Sequence, residues 1–304
     1  MGGERLLVVN GDDLGLSAGV NAGILQAYRE GILTSASLLV NAAGTTEAVA
    51  AVHDTPGLAV GLHLALTQAQ AVSTPESIPG LVGSDGWFGD SGVMSGLRYF
   101  FVPGLRAQLE REIRAQLERF QSFGLALSHV DGHMNLHLHP VVLGILIDLA
   151  PEYGISAIRL TRDPILEALW LDFRSAPRKI TEGLVFMALA YWAAPRLRAA
   201  GIAFTERVYG LHQTGAVDEA YLLALIPRLP SGVFELYCHP GVLPDAEVAR
   251  WMPDYQHGTE LAALCSPRVQ QALYEHGVTL CNHWQLREAP ESGRLAASPS
   301  PLSL

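Results

Sequence analysis

Hydrophobic positions along this chain follow two alternating rhythms. Residues 6–9 are a short apolar, β-branched run ending at Asn10-Gly11, the pattern of a buried strand. Residues 20–30 carry apolar side chains at helical spacing and stop at Gly31. The alternation continues with strands expected over 35–40, 58–66, 127–130, 157–160, 203–208, 233–238 and 278–281. Between them, helices are expected over 42–52, 105–123, 141–150, 218–227 and 258–276. Two stretches interrupt the pattern. Residues 67–103 are rich in Gly, Pro and Ser and read as a long excursion beside a site, and 163–200 read as a second, helical excursion.

Strands alternating with helices predict an α/β fold. The expected form is a single β/α barrel, TIM-like, closed or slightly broken, of seven or eight strands. Residues 1–287 form its one domain, the helical excursion included. Residues 288–304, rich in Pro, Ser and Ala, are expected to be a disordered tail.

Composition narrows the function. Hydrophobic residues make up 49% of the chain and charged residues 16%, against about 25% charged in an ordinary soluble domain. The chain therefore buries a large core or presents an apolar surface. A net charge of −10 argues against a nucleic-acid binder. Cys238, Cys265 and Cys281 form no CxxC pair and read as reduced thiols of a cytoplasmic protein. The N-terminal run is too short for a secretory signal, and no stretch reaches the roughly 18–20 apolar residues of a membrane span.

The chemistry-bearing residues fall at the carboxyl ends of the expected strands, where barrel enzymes keep their sites. Asp12 and Asp13 follow the first strand, and two adjacent carboxylates there call for a positive partner. His63 lies in the otherwise apolar Val60-Gly61-Leu62-His63-Leu64. His129, Asp131, His133, His137 and His139 crowd into one short segment, a density that packing alone does not explain. A carboxylate and imidazoles with open positions suit a hydrolytic divalent cation, Zn²⁺ or Mg²⁺, whose identity stays open. The i,i+4 pairs His129/His133 and His133/His137 leave the choice of ligands open, although His133 should lie just past the strand tip. His239 ends an apolar strand before Pro240-Gly241, where an imidazole can protonate a leaving group. Gly15-Leu16-Ser17-Ala18-Gly19 matches GxSxG, but Ser17 lies too far past the strand for a nucleophile elbow and reads as a helix N-cap.

Four segments carry a resemblance: VNGDDLGLSAGVNAGI, VGLHLALT, SHVDGHMNLHLHP and ELYCHPG, in that order. Together they resemble the YdjC-like carbohydrate deacetylases, which share a β/α-barrel fold. The resemblance implies that Asp13, His63 and His133 bind the metal, that Asp12 is the general base, and that His239 is the candidate general acid. It leaves His129, Asp131, His137, His139 and Arg159 as residues that contact substrate or support those that do. The thinner histidine run and the 163–200 excursion are similar to the hopanoid-biosynthesis-associated HpnK branch. That similarity implies an N-acetylglucosaminyl group on a hopanoid lipid as substrate. Soluble chito-oligosaccharides are the alternative substrate, and a metal-bearing lipid or sugar carrier is the non-catalytic one.

Residues 184–194 are apolar on every face, and between Arg159 and Arg207 eight Lys/Arg oppose five Asp/Glu. Such a segment suits a membrane interface or a lipid tail, and equally a buried core helix. The expected partners are thus a lipid-linked amino sugar, a membrane surface met from the cytoplasmic side through 163–200, and a second copy of the chain in a homodimer.

Overall fold

The computed structural model describes residues 3–89, 91–173 and 175–287. The expected tail, 288–304, lies outside them. Among the described residues, seven strands form one parallel sheet: β1 (Arg5–Leu14), β2 (Ser35–Leu38), β3 (Ala59–Leu64), β4 (Val130–Gly132), β5 (Arg207–Tyr209), β6 (Gly232–Cys238) and β7 (Val278–Cys281). The order is β4-β3-β2-β1-β6-β5. β1 is long enough to serve two neighbours on one side: its first half pairs with β7 from Arg5↔Val278 to Val8↔Cys281, and its second half pairs with β2 from Asn10↔Ser35. Parallel neighbours require crossovers, and helices such as Ala18–Glu30, Thr45–His53 and Leu105–Ser122 lie between successive strands in the sequence.

The segment 157–160, read from sequence as a full strand, enters only through the single bridges Val130↔Ile158 and Ala157↔Ala203. The reason lies in its neighbour. β4 is three residues long because the chain leaves it at once for a 3-10 turn, His133–Leu138, with Met134 and Asn135 at φ +55°. No longer ladder has a partner there. The expected 258–276 helix is two helices, His257–Leu264 and Pro267–Glu275, broken where Ser266 caps the second and Pro267 starts it. Both excursions are partly helical: Gly92–Phe101 in the first, Ile165–Leu171 and Ala176–Ala199 in the second. Among the described residues, no helix is long and apolar enough to cross a membrane.

Strand periodicity decides where polarity goes, since alternate side chains face opposite sides. Leu7 and Val9 of β1, Leu62 and Leu64 of β3, and Phe234 and Leu236 of β6 join the main core. The intervening positions make the other face. Near the amino ends of the strands it is apolar, where Val8 packs with Val233, Cys281 and Leu286. Toward the carboxyl ends it turns polar, with buried Asn10, Asp12, Ser37, His63, Asp131 and Glu235. The site is built on that face.

Candidate metal centre

Asp12 and Asp13 are consecutive, so a regular strand would aim them to opposite sides. Asp13 instead sits at φ +65°, and the β1–β2 register shifts between Gly11 and Leu14. Asp tolerates the left-handed region better than most residues. The irregularity lets both carboxylates reach one cluster. His63 reaches it from β3 and His133 from the first residue after β4.

The Nε2 of His63 and the Nδ1 of His133 converge on the Oδ1 of Asp13, at 3.2 and 3.1 Å. Asp13 and His63 are buried, and the His133 side chain is 17% exposed. On the opposite side of its ring, His63 Nδ1 lies 2.8 Å from Asp131 Oδ1. That contact requires a proton on Nδ1. A neutral His63 therefore turns its Nε2 lone pair toward a carboxylate oxygen, which is repulsive unless a positive charge lies between them. A proton or a metal cation meets this need. Asp131 thus fixes the orientation and tautomer of His63. Burial works against the charged imidazole, but Asp131 and Asp13 outweigh it and hold the pKa of His63 well above the usual range. For Asp13, burial is likewise outweighed by His133 and His63, which hold its carboxyl well below the usual carboxylate range. One carboxylate and two imidazoles, whose ligand atoms all lie within 4.8 Å of one another, fit a cation bound at about 2 Å from each.

Asp12, His63 and Asp131 also lie close enough to share an ion, but a cation already fills that space. Arg159 donates from its two terminal nitrogens to Asp12 at 2.7 Å each and from Nε to Glu235 at 2.7 Å, and one terminal nitrogen forms an ion pair with Asp131 at 2.9 Å. Asn10 Nδ2 donates to Asp12 Oδ1 at 2.8 Å. Burial alone would raise the Asp12 carboxyl; the Arg159 guanidinium reverses this and holds it at about 2. Asp12 is therefore a fixed anion beside the triad at neutral pH.

His239 follows β6 directly and is buried with its ring edge-on to Tyr237 and Tyr255. Its backbone N–H donates to Glu260 Oε2 at 2.5 Å, and among the described residues its Nδ1 has no partner. Burial lowers its pKa from the ordinary value. His239, Asp12, Asp13, His63 and His133 all line one cavity of about 630 Å³.

The other sequence candidates divide. His139 lines the same cavity, packed against Tyr99 and Phe100. His129, Asp131, His137 and Arg159 lie buried behind it. His129 bonds Ser128 and stacks on His283 at 3.5 Å between ring centroids. It also explains Gly61, where a Cβ would lie 2.4 Å from the His129 ring. His137 Nε2 donates to the carbonyl of Arg159, and burial lowers its pKa to about 4. Ser17 caps its helix by accepting from the Val20 N–H. Sequence reading missed Asn10, Glu235, Glu260 and His283. Glu235 had a signal: an acid at an inward position of an otherwise apolar strand, four residues before His239.

The second excursion roofs the cavity. Helix Ala176–Ala199 lines it with Thr181, Val185, Phe186 and Leu189. Its face away from the core is apolar as well: Ile180, Leu184, Met187 and Tyr191, the last 87% exposed, recur at helical spacing. Ala190, Ala193, Ala194 and Leu197 are buried. The segment is therefore core on one side only.

The YdjC-like protein family model matches residues 6–275. A carbohydrate deacetylase of Brevibacillus brevis is 32% identical over 280 residues, covering 92% of this chain and 99% of its own. A chitooligosaccharide deacetylase of Salmonella enteritidis is 32% identical over 277 residues, covering 90% and 96%. The crystal structure of a candidate cellobiose-phosphate cleavage protein from Enterococcus faecalis V583 superimposes with a TM-score of 0.72 at 25% identity, covering 93% of this chain and 99% of the other.

Proposed function

This chain belongs to the YdjC-like family, and on that premise we propose that it is a metal-dependent hydrolase that removes the acetyl group from an N-acetylglucosamine-type sugar. The observation that carries the proposal is the convergence of Asp13, His63 and His133 from separate strand ends, with Asp12 and His239 on the same cavity. The names of the 32%-identical relatives, which act on carbohydrates and chito-oligosaccharides, favour an amino-sugar amide over other amides.

Asp13, His63 and His133 would hold the cation, Zn²⁺ or Mg²⁺. When bound, it supplies a Lewis acid for water and for the acetyl carbonyl. Asp12 orients the attacking water and accepts its proton as the new C–O bond forms. Arg159 fixes that carboxylate in place through a two-pronged clamp, at the expense of its proton affinity. His239, neutral in the resting site, relays a proton to the sugar nitrogen as the C–N bond breaks. The proton given up by water thus ends on the amine, and acetate leaves. A carrier would need Asp13, His63 and His133 but would have no use for Asp12 or His239.

Two features favour an amino sugar joined to an apolar, lipid-like group such as a hopanoid. The helix that roofs the cavity lines it with Val185, Phe186 and Leu189 beside the polar Arg178, Thr181 and Glu182. The stripe Ile180, Leu184, Met187 and Tyr191 suits peripheral contact with a membrane surface, with Arg178, Arg196 and Arg198 at its ends. The test is acetate release from an N-acetylglucosaminyl lipid and from free chito-oligosaccharide, by wild type and Asp12→Asn. The variant should keep its metal and lose about a hundredfold or more in turnover. A fully active Asp12→Asn enzyme excludes the assigned base, and preference for the free oligosaccharide excludes the lipid.

A further inference from the structure

The two imidazoles of the triad are supported differently. His63 lies inside β3, buried, with the Asp131 carboxylate behind it. His133 is the first residue after the three-residue β4, and its side chain is partly exposed. The next two residues, Met134 and Asn135, turn into the left-handed region, so the chain leaves the sheet at once. The ring of His133 is instead held at its two nitrogens. Nδ1 faces Asp13 Oδ1 at 3.1 Å, and Nε2 faces Gln68 Oε1 at 3.2 Å.

The second contact has a direction. A side-chain carbonyl oxygen only accepts, so Nε2 carries the proton and Nδ1 presents its lone pair toward Asp13. Turned the other way, the Gln68 amide would donate to Nε2 and leave the proton on Nδ1, which closes that position to a cation. The backbone at Gln68 is fixed for this contact. Its φ of +50° is uncommon for a residue with a long side chain. The Gln68 N–H and the Thr67 hydroxyl both donate to the Gly89 carbonyl, at 3.1 and 2.7 Å. The Tyr99 hydroxyl donates to the Leu66 carbonyl at 2.6 Å, and the Phe88 N–H to the Ala69 carbonyl at 3.0 Å. Gln68 follows His63 by five residues, so one strand end places both imidazoles, His63 directly and His133 through Gln68.

We propose that Gln68 is a positioning residue of the metal centre, whose Oε1 holds the Nε2–H tautomer of His133 so that Nδ1 can bind the cation. A neutral amide in this place has a consequence. The Asp131 carboxylate makes His63 a stronger electron donor. Gln68 adds no charge to His133, which leaves the centre more electrophilic toward water and a carbonyl. The inference rests on the metal-binding reading of Asp13, His63 and His133, and stands apart from the deacetylase reading.

The experiment measures Zn²⁺ affinity of metal-stripped wild type, Gln68→Ala, Gln68→Gly and Gln68→Glu by competition with a chromogenic chelator. Long-range ¹H–¹⁵N NMR of the Zn²⁺-loaded proteins then shows which ring nitrogen of His133 carries the proton. In wild type it should be Nε2. Gln68→Ala and Gln68→Gly should each bind Zn²⁺ about 10- to 100-fold more weakly. Glycine adopts the positive φ readily, so its loss reports the side chain and not the backbone. Gln68→Glu still accepts from Nε2–H; it should bind at least as tightly as wild type and lower kcat for acetate release with KM little changed. A loss of less than about threefold in both Gln68→Ala and Gln68→Gly, set against the 10-fold or more expected, overturns the proposal. So does a His133 proton on Nδ1 in the Zn²⁺ form, or a Gln68→Glu that binds as weakly as Gln68→Ala. A wild type that binds no Zn²⁺ overturns the triad reading and this inference with it. Zn²⁺ binding that depends on Gln68, without acetate release, overturns the deacetylase reading and leaves Gln68 in its role.

Discussion

Replacing Arg159 with methionine keeps much of the side-chain volume and removes the charge that holds the polar face together. Arg159 is 1% exposed and forms ion pairs with Asp12, Asp131 and Glu235 at 2.7 to 2.9 Å. Its loss leaves three carboxylates facing one another, with only neighbouring histidines to offset them. Breaking a buried ion pair from one side costs about 3–5 kcal/mol. Unfolding entropy of about 2.1 cal/mol/K per residue over 304 residues converts that to a fall in Tm of about 5–8 °C. The pH dependence gives a second signature. In the wild type the pKa of Asp12 is depressed to about 2, so its contribution is complete above its ordinary value of 3.8 and is lost as pH falls toward 2. In the variant, burial is opposed only by the weaker pull of His63 and His239, and it raises that pKa. Its folded state therefore loses stability as pH rises through the new value, and the deficit against wild type should widen from pH 4 to pH 7. Differential scanning calorimetry across that range measures both effects. A Tm within about 2 °C of wild type at pH 7, or a deficit that narrows with rising pH, refutes the reasoning. Arg159→Lys should recover part of the stability and little of the turnover, because a single ammonium cannot grip Asp12 at both oxygens.

Further outcomes follow from the same geometry. Asp131→Asn removes the carboxylate behind His63 and should weaken cation affinity about 10- to 100-fold, read by competition with a chromogenic chelator. Glu260→Gln sets an amide N–H against one of two backbone donors, Val217 or His239; it should cost about 1–3 kcal/mol in urea denaturation. Burial holds Asp163 and Glu260 each up at about 7. Such raised carboxyls withdraw stability as pH climbs from about 4 to 7, so Asp163→Asn should flatten that decline. Replacing Leu184 and Met187 with Gln should reduce sedimentation with anionic liposomes and leave acetate release from soluble sugar unchanged. Equal sedimentation of variant and wild type removes the membrane contact.

Much of the site was legible because strand-end chemistry is local. A carboxylate pair after an apolar run, a histidine inside one, and a histidine cluster after another each mark a strand terminus, and the fold brings three of these together. The family resemblance supplied which histidines to choose. The sequence did not reveal the left-handed turn at Asp13, since Asp is only mildly biased toward it. Nor did it reveal the Arg159 hub, whose partners come from β1, β4 and β6 and share no spacing. Strand boundaries slipped where length is set by a neighbour: 157–160 has the composition of a strand, yet the short β4 offers it no ladder. Residues 184–194 read equally as core or as interface. The helix that carries them buries Ala190, Ala193 and Ala194 and leaves Leu184, Met187 and Tyr191 exposed, so core describes one face of it only.

The central claim is that one divalent cation at Asp13, His63 and His133 is required for sugar deacetylation. Its most direct test is acetate release from an N-acetylglucosaminyl substrate by metal-stripped enzyme, before and after one equivalent of Zn²⁺ or Mg²⁺, alongside Asp13→Ala. The account predicts no release without cation, recovery at one equivalent in the wild type, and no recovery in the variant. Full activity in the presence of chelator, or recovery in Asp13→Ala, would contradict it.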